Sequence, residues 1–199
     1  LIEYVKELSK KEKYDNILEC MKSIKKVENC VQTVTLLESL ISSLVTAKYS
    51  IMWIYNRKRD LLCRQVEGQI ITSVKDRGVL GRAFSTKKAF FINDVTHKSE
   101  YQATIDNIDV LPIKDMILLP ILDNEDKVKY IFQAMTSCNN LQQFAKSDVE
   151  TLIMLSEYMH NIDLSSCCKE RVDKITPPKE AQKEQDILSK IFGLFKKPL

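Results

Sequence analysis

An α+β fold with a mainly antiparallel central sheet, flanked by N- and C-terminal helices, is what this sequence predicts. Three observations carry that prediction. Apolar residues recur at helical spacing up to Ala47 and again from Lys146, strand-like alternation fills much of the chain between, and the two clearest strand pairs are each closed by a short charged turn. Strands joined by tight turns run antiparallel. With 199 residues, 44% of them hydrophobic and 29% charged, the chain can bury a substantial core and has the balance of one globular domain with helical extensions.

From Ile2 to about Ala47 the apolar positions Ile17, Met21 and Ile24, then Val34, Leu37, Leu40, Ile41 and Leu44, fall at helical spacing. They predict one short helix and then two longer ones, punctuated at Asn29 or Thr33, with residues 1–30 as an N-terminal extension. After Lys48 the period becomes that of a strand: YSIMWIYN, the charged turn RKRD, then LLCRQVEG, ended by Gly68. This is a hairpin, to which QIITSV adds a third strand. Asp76 ahead of Gly78 to Phe84 suggests a short capped helix, AFFIND returns to strand, and VTHKSEYQATIDNIDVLPIKD is a polar connection too long for a mere turn.

MILLPILD and VKYIFQAMTS, joined by NEDK, make a second hairpin, and Pro120 puts its strand near an edge or a bulge. Lys146 to Leu164 form a closing helix, with Ser147 ahead of Asp148 and Glu150, and with Leu152, Leu155, Met159 and Ile162 on one face. The domain so delimited spans residues 31–164. Residues 165–199 are a polar linker, TPPKEAQKEQ, and an amphipathic helix, DILSKIFGLFKK.

Several function classes are excluded by composition. A formal charge of +3, without a dominant basic face, does not suit a nucleic-acid binder. No signal peptide, lipidation motif or apolar run of about 20 residues is present, which predicts a cytoplasmic protein. A start at Leu1 is what a piece of a longer protein would show. Cys20, Cys30, Cys63 and Cys138 follow no regular framework, so reduced thiols are expected, and the adjacent pair Cys167 and Cys168 is read as inert or redox-active. His97 and His160 stand far apart without metal-ligand spacing, so no metal is expected, and no nucleophile and base share a recognisable motif, so neither is enzymatic activity.

The stretch RGVLGRAFSTKKAFFINDV places two of the chain's four glycines three residues apart, before an apolar strand ended by Asn93 and Asp94. Together with the element order it resembles a GAF domain, a PAS-related small-molecule sensor module, closest to the regulatory GAF domains of cyclic-nucleotide phosphodiesterases. Gly78-Val79-Leu80-Gly81 matches the family's G-I-x-G, Ile92-Asn93-Asp94 the I-x-D of its N-I-x-D, Ile117 to Ile121 resembles its I-L-x-x-P-I one position shorter, and Phe144 to Asp148 matches its F-x-x-x-D. Gln133 lies in the strand corresponding to the family's GVAQ. The resemblance covers roughly Val31 to Ile162.

It implies a GAF-like fold with a small ligand on the sheet beneath the polar connection, a cyclic nucleotide among the candidates. The ligand-binding residues it implies are Ile51, Val66, Glu67, Val79, Leu80, Asp94, Tyr101, Gln102, Asp106, Asp109 and Gln133. The opening of the short helix at Gly78 would aim amides at an anion. Against a cyclic phosphate stand three acids, Glu67, Asp106 and Asp109, and Thr136-Ser137 replaces the Asn-Lys whose lysine pairs in the family with the aspartate corresponding to Asp148. Some members reduce free methionine sulfoxide with clustered cysteines, whereas Cys63 and Cys138 fall on separate strands here.

The flanking helices imply a homodimer or a partner domain. Leu37, Leu40, Ile41, Leu44, Leu152, Leu155 and Met159 would supply such a seam, or else cover one face of the sheet. The C-terminal helix, with Ile187, Leu188, Ile191, Phe192 and Phe195 opposite Lys190, Lys196 and Lys197, suits its own domain, a partner or a membrane surface. The expected function is a non-catalytic regulatory or scaffold module in a signalling or multidomain protein. The alternatives are a cyclic-nucleotide-binding regulatory domain and a thiol-dependent methionine sulfoxide reductase.

Overall fold

A computed structural model describes residues 9–27, 29–66, 69–139, 143–164 and Cys167. Glu67 and the amphipathic C-terminal helix lie outside the described residues. Two helices of 15 residues open the described chain, α1 (Lys10–Ile24) and α2 (Cys30–Leu44). Ser9 and Glu12 form a capping box at the start of α1, and the Asn29 side chain accepts from the Val31 amide at the start of α2, so Asn29 is the punctuation. The strands are β1 (Tyr49–Asn56), β2 (Leu61–Val66), β3 (Gln69–Ser73), β4 (Phe90–Ile92), β5 (Ile113–Leu122) and β6 (Val128–Ser137). Between β3 and β5 run α3 (Gly78–Thr86), β4, a 3-10 turn at Val95–His97 and α4 (Ala103–Asp106); α5 (Lys146–Met159) follows β6.

The sheet has the order β3-β2-β1-β6-β5-β4, and its neighbouring strands pair antiparallel. Both expected hairpins are present. Pro120 pairs across to Ile131 of β6, while β4 reaches β5 only from Met116 to Leu118, so the proline lies past the end of the edge strand and beside the irregularity at Ile121/Leu122. Its missing N–H interrupts no ladder there.

Strand alternation sends side chains to two faces with different coverings. On one face α1, α2 and α5 pack Ile17, Leu37, Ile41, Leu44, Leu152, Leu155 and Met159 against Met52, Ile54, Ile117, Leu119 and Phe132. Each such burial contributes about 1.5–3 kcal/mol. The seven residues considered for a dimer seam, with Leu40 buried among them, therefore lie in the layer over the sheet of their own domain. On the other face the connection between the hairpins folds back as a roof, with Val79, Leu80, Ala83, Val95 and Ile105 on Ile51, Trp53, Met116, Leu118 and Ile131.

Three expectations are corrected. The closing helix ends at Met159 instead of Leu164; beyond it Tyr130 Oη donates to the Ile162 carbonyl at 3.0 Å and accepts from the Leu164 amide at 2.8 Å, which holds the chain in a non-helical course. Asp148 keeps a partner despite the absent lysine, because its carboxylate accepts from the Ala145 amide at 2.9 Å and closes the start of its own helix. Cys30 is not a reduced thiol: it forms a disulfide with Cys167, across a sequence separation of 137, with the two Cα atoms 5.7 Å apart. Spacing along the chain could not show this, since the fold itself brings the start of α2 beside the segment that follows α5. Cys20, Cys63 and Cys138 take part in no disulfide.

The β1–β2 ladder covers only Ile54 to Asn56 against Leu61 to Cys63, while β2 continues along β3 as far as Val66 with Gln69. Beside this opening, on the helical face, the Glu38 carboxylate accepts from the Met52 amide at 2.8 Å. A side chain of α2 thus satisfies a β1 donor that β2 does not reach.

Candidate functional site

The roof is fastened at the start of α3. Asp76 was expected to cap this helix, but the N-cap is Arg77 in extended conformation, without a side-chain bond. The cap comes from a residue remote in sequence. Asp106, at the end of α4 and 1% exposed, accepts from the Val79 amide at 3.0 Å through Oδ2 and from the Leu80 amide at 2.9 Å through Oδ1. Its Oδ2 also accepts from the Gln102 amide at 2.8 Å. Burial pushes this carboxyl above the usual carboxylate range, and the amides of Gln102, Leu80 and Val79 pull in the opposite direction.

Gly78 makes that approach possible. It has φ +70°, and a Cβ there would stand 2.5 Å from Asp106 Oδ2. Any side chain would be strained by the backbone and would push the carboxylate off the helix. Gly81 is constrained differently, since its Cβ would meet the Asp76 backbone carbon at 2.6 Å.

Beneath Asp106 a buried chain of polar groups reaches the centre of the sheet. Gln133 Nε2 donates to the Asp106 carbonyl at 2.6 Å, and Gln133 Oε1 accepts from Trp53 Nε1 at 2.8 Å. Both side chains of this chain are buried, Gln133 at 0% and Trp53 at 1% exposure, so roof and floor are joined by bonds that water does not compete for. Beside them, Arg64 lies over the Trp53 ring at 5.2 Å and forms an ion pair with Asp109 at the outer end of the roof. Arg64 is 7% exposed, and its Nε has no hydrogen-bond partner among the described residues.

A second fastening lies where β4 enters the roof. Asp94 has φ 53°, and its amide donates to Asp115 Oδ1 at 2.9 Å. The fully buried Asp115 also accepts the Thr136 hydroxyl at 2.9 Å, while its own amide donates back to that hydroxyl at 3.1 Å. Thr136, which stands where the family has asparagine, thereby satisfies a buried carboxylate.

The structure brings together Ile51, Val79, Leu80, Gln102, Asp106 and Gln133, with Tyr101 packed against the same roof cluster. Val66, Asp94 and Asp109 stand apart from this group. Val66 ends β2 in its ladder with Gln69, Asp109 serves Arg64, and Asp94 belongs to the Asp115 turn. Sequence reasoning missed Arg64, Trp53 and Asp115. Arg64 had a legible signal: in LLCRQV it shares a strand face with Leu62, and a charged residue on an apolar face needs a partner.

A roofed antiparallel sheet with terminal helices on its opposite face defines a class of single-sheet α+β modules. A family model described as GAF domain matches residues 33–162, and the chain belongs to that family. Solved structures agree on the fold. Free methionine-R-sulfoxide reductase from Neisseria meningitidis, in complex with its substrate, is 15% identical, with TM-score 0.62 over 80% of this chain and 94% of that one. The GAF domain of a phosphoenolpyruvate-protein phosphotransferase from Coxiella burnetii is 11% identical, with TM-score 0.61 over 82% and 97%. Its counterpart from Acinetobacter is 10% identical, with TM-score 0.60 over 80% and 93%. At such identities the likeness is one of fold. No curated protein matches the sequence. Among the described residues no helix is long and apolar enough to cross a membrane.

Proposed function

We propose that this chain is a non-catalytic regulatory or scaffold GAF module whose ligand seat is held by its own side chain. One observation carries the reading: the Asp106 carboxylate lies on the Val79 and Leu80 amides, where an anionic ligand would otherwise be received. A cyclic phosphate entering there would meet a carboxylate instead of open donors, and like charges repel. The cyclic-nucleotide reading, with the closeness to phosphodiesterase GAF domains on which it rests, is therefore the weaker one. The reductase reading gains nothing from the cysteines, because Cys63 faces the helical layer, opposite the roof, and Cys138 is exposed beyond β6. Self-association or partner docking would use the outer side of the helices, where Tyr14 is 41% and Ile153 45% exposed.

Native mass spectrometry of the full chain, with calorimetry against cyclic AMP and cyclic GMP, tests the proposal. The expected result is no copurified ligand and no heat. A ligand in the native spectrum, or heat with the unaltered chain, would overturn it.

A further inference from the structure

We propose that Cys30 and Cys167 form a reversible dithiol–disulfide strap, exchanging with glutathione, that controls whether the chain leaving α5 is held against the start of α2. Three features support it, none of them drawn from the roof. The bond joins the entry of α2 to the exit of α5 and spans 137 residues, so opening it releases a covalent loop that encloses the whole sheet. Its two sulfurs differ in access: Cys167 is 6% exposed, whereas Cys30 is only partly buried and can be reached by a small thiol. Before Cys167 the chain is anchored at Ile162 and Leu164, which Tyr130 Oη holds at 3.0 and 2.8 Å, so that Cys167 is the next described point of attachment. Its amide donates to the Leu164 carbonyl at 3.1 Å, and Lys129 Nζ donates to the Ile162 carbonyl at 2.9 Å.

Cys167 also closes a groove of about 40 Å³ lined by Val31, Val34, Glu38, Met52 and Gln65, room for one or two waters. Release of the strap uncovers that face of α2 together with the Glu38 carboxyl.

Opening proceeds by thiol–disulfide exchange. A glutathione thiolate attacks the Cys30 sulfur, the Cys30–Cys167 bond breaks, and Cys167 leaves as a thiolate that takes up a proton. A second glutathione thiolate attacks the glutathione sulfur of the mixed disulfide, which releases Cys30 as a thiol and glutathione disulfide as the oxidised product. In sum, protein disulfide and two glutathiones give protein dithiol and one glutathione disulfide; closure is the reverse.

The test equilibrates the full chain in glutathione buffers of graded redox ratio, traps thiols by rapid alkylation and maps peptides by mass spectrometry, with hydrogen exchange on the same samples. The expected result is a single transition in which Cys30 and Cys167 gain label together, reversible on reoxidation. Amide exchange at Cys167 then rises roughly tenfold on opening, while Leu164, whose amide Tyr130 holds, and Val79 and Leu80 beneath the roof are unchanged. Cys30→Ser should show the fast exchange under all conditions. Pairing of Cys30 with Cys168, a bond that glutathione opens only once the whole domain exchanges, or unchanged exchange at Cys167 on opening would each overturn the proposal.

Discussion

The two faces of the sheet are held by different forces. Beneath the helices, Leu37, Ile41, Leu152, Leu155 and Met159 meet Met52, Ile117 and Phe132 in a layer where burial supplies the stability and shape can adjust. Beneath the roof a comparable apolar layer is threaded by directional groups, Asp106, Gln133, Trp53, Arg64 and Asp115, each with few acceptable positions. The first face makes the domain stable, and the second fixes one geometry of the roof.

Four substitutions break or sharpen that contrast. Gly78→Ala should be the most damaging, at about 4 kcal/mol, because strain in the left-handed backbone adds to the loss of Asp106 from its amides. Denaturant unfolding should show the loss and hydrogen exchange should place it in the roof; a cost below about 1 kcal/mol would mean that the carboxylate does not fasten the roof. Leu155→Ala, fully buried on the helical face, should cost about 3 kcal/mol with the exchange pattern of the roof preserved. Faster exchange at Val79 and Leu80 ahead of global unfolding would show instead that the two faces are coupled.

Glu38→Gln should stabilise by about 1–2 kcal/mol near pH 8, after allowance for partial exposure. Burial raises the Glu38 carboxyl to about 7 from an ordinary 4.5, against the opposing pull of the Met52 amide and Arg64. Below about pH 4.5 it is protonated in both folded and unfolded chains and has no effect. From there to about pH 7 the unfolded chain gives up its proton while the folded one keeps it, so stability falls as pH rises, and the decline is complete above that value. Glutamine retains an acceptor for the Met52 amide, so the pH scan of unfolding midpoints should flatten in that window; an unaltered slope would remove Glu38 as its source. Asp109→Asn should have the smallest effect, about 1 kcal/mol, since its carboxylate is 29% exposed while the Arg64 it pairs with is buried. It should speed exchange at the outer roof alone, and a loss as large as that of Leu155→Ala would contradict the rim position given to this ion pair.

Most of the fold was legible because periodicity reports which side of an element is buried. YSIMWIYN is β1 residue for residue, and the sheet, the roof and the flanking helices follow from such stretches. The site was legible where the signal was local, as at Gly78, Val79 and Leu80. It was not legible where a partner came from afar: Asp106 caps a helix that begins 28 residues earlier in the chain, and Asp76, the neighbour that looked like the cap, does not serve. The disulfide was hidden for the same reason, since loop closure over such a distance leaves no mark in spacing.

The short ladder between β1 and β2 makes the sheet mechanically two pieces. Strands β1, β6, β5 and β4 form a plate, and β2 with β3 form a ribbon hinged to it at Ile54 to Asn56. Arg64 and Glu38 stand on opposite sides of the gap, one under the roof and one under α2, like two hands on a half-open door. Since Glu38 holds β1 of the plate while Arg64 rides on the ribbon and reaches Asp109, the ribbon is tied to the roof and the plate to the helices.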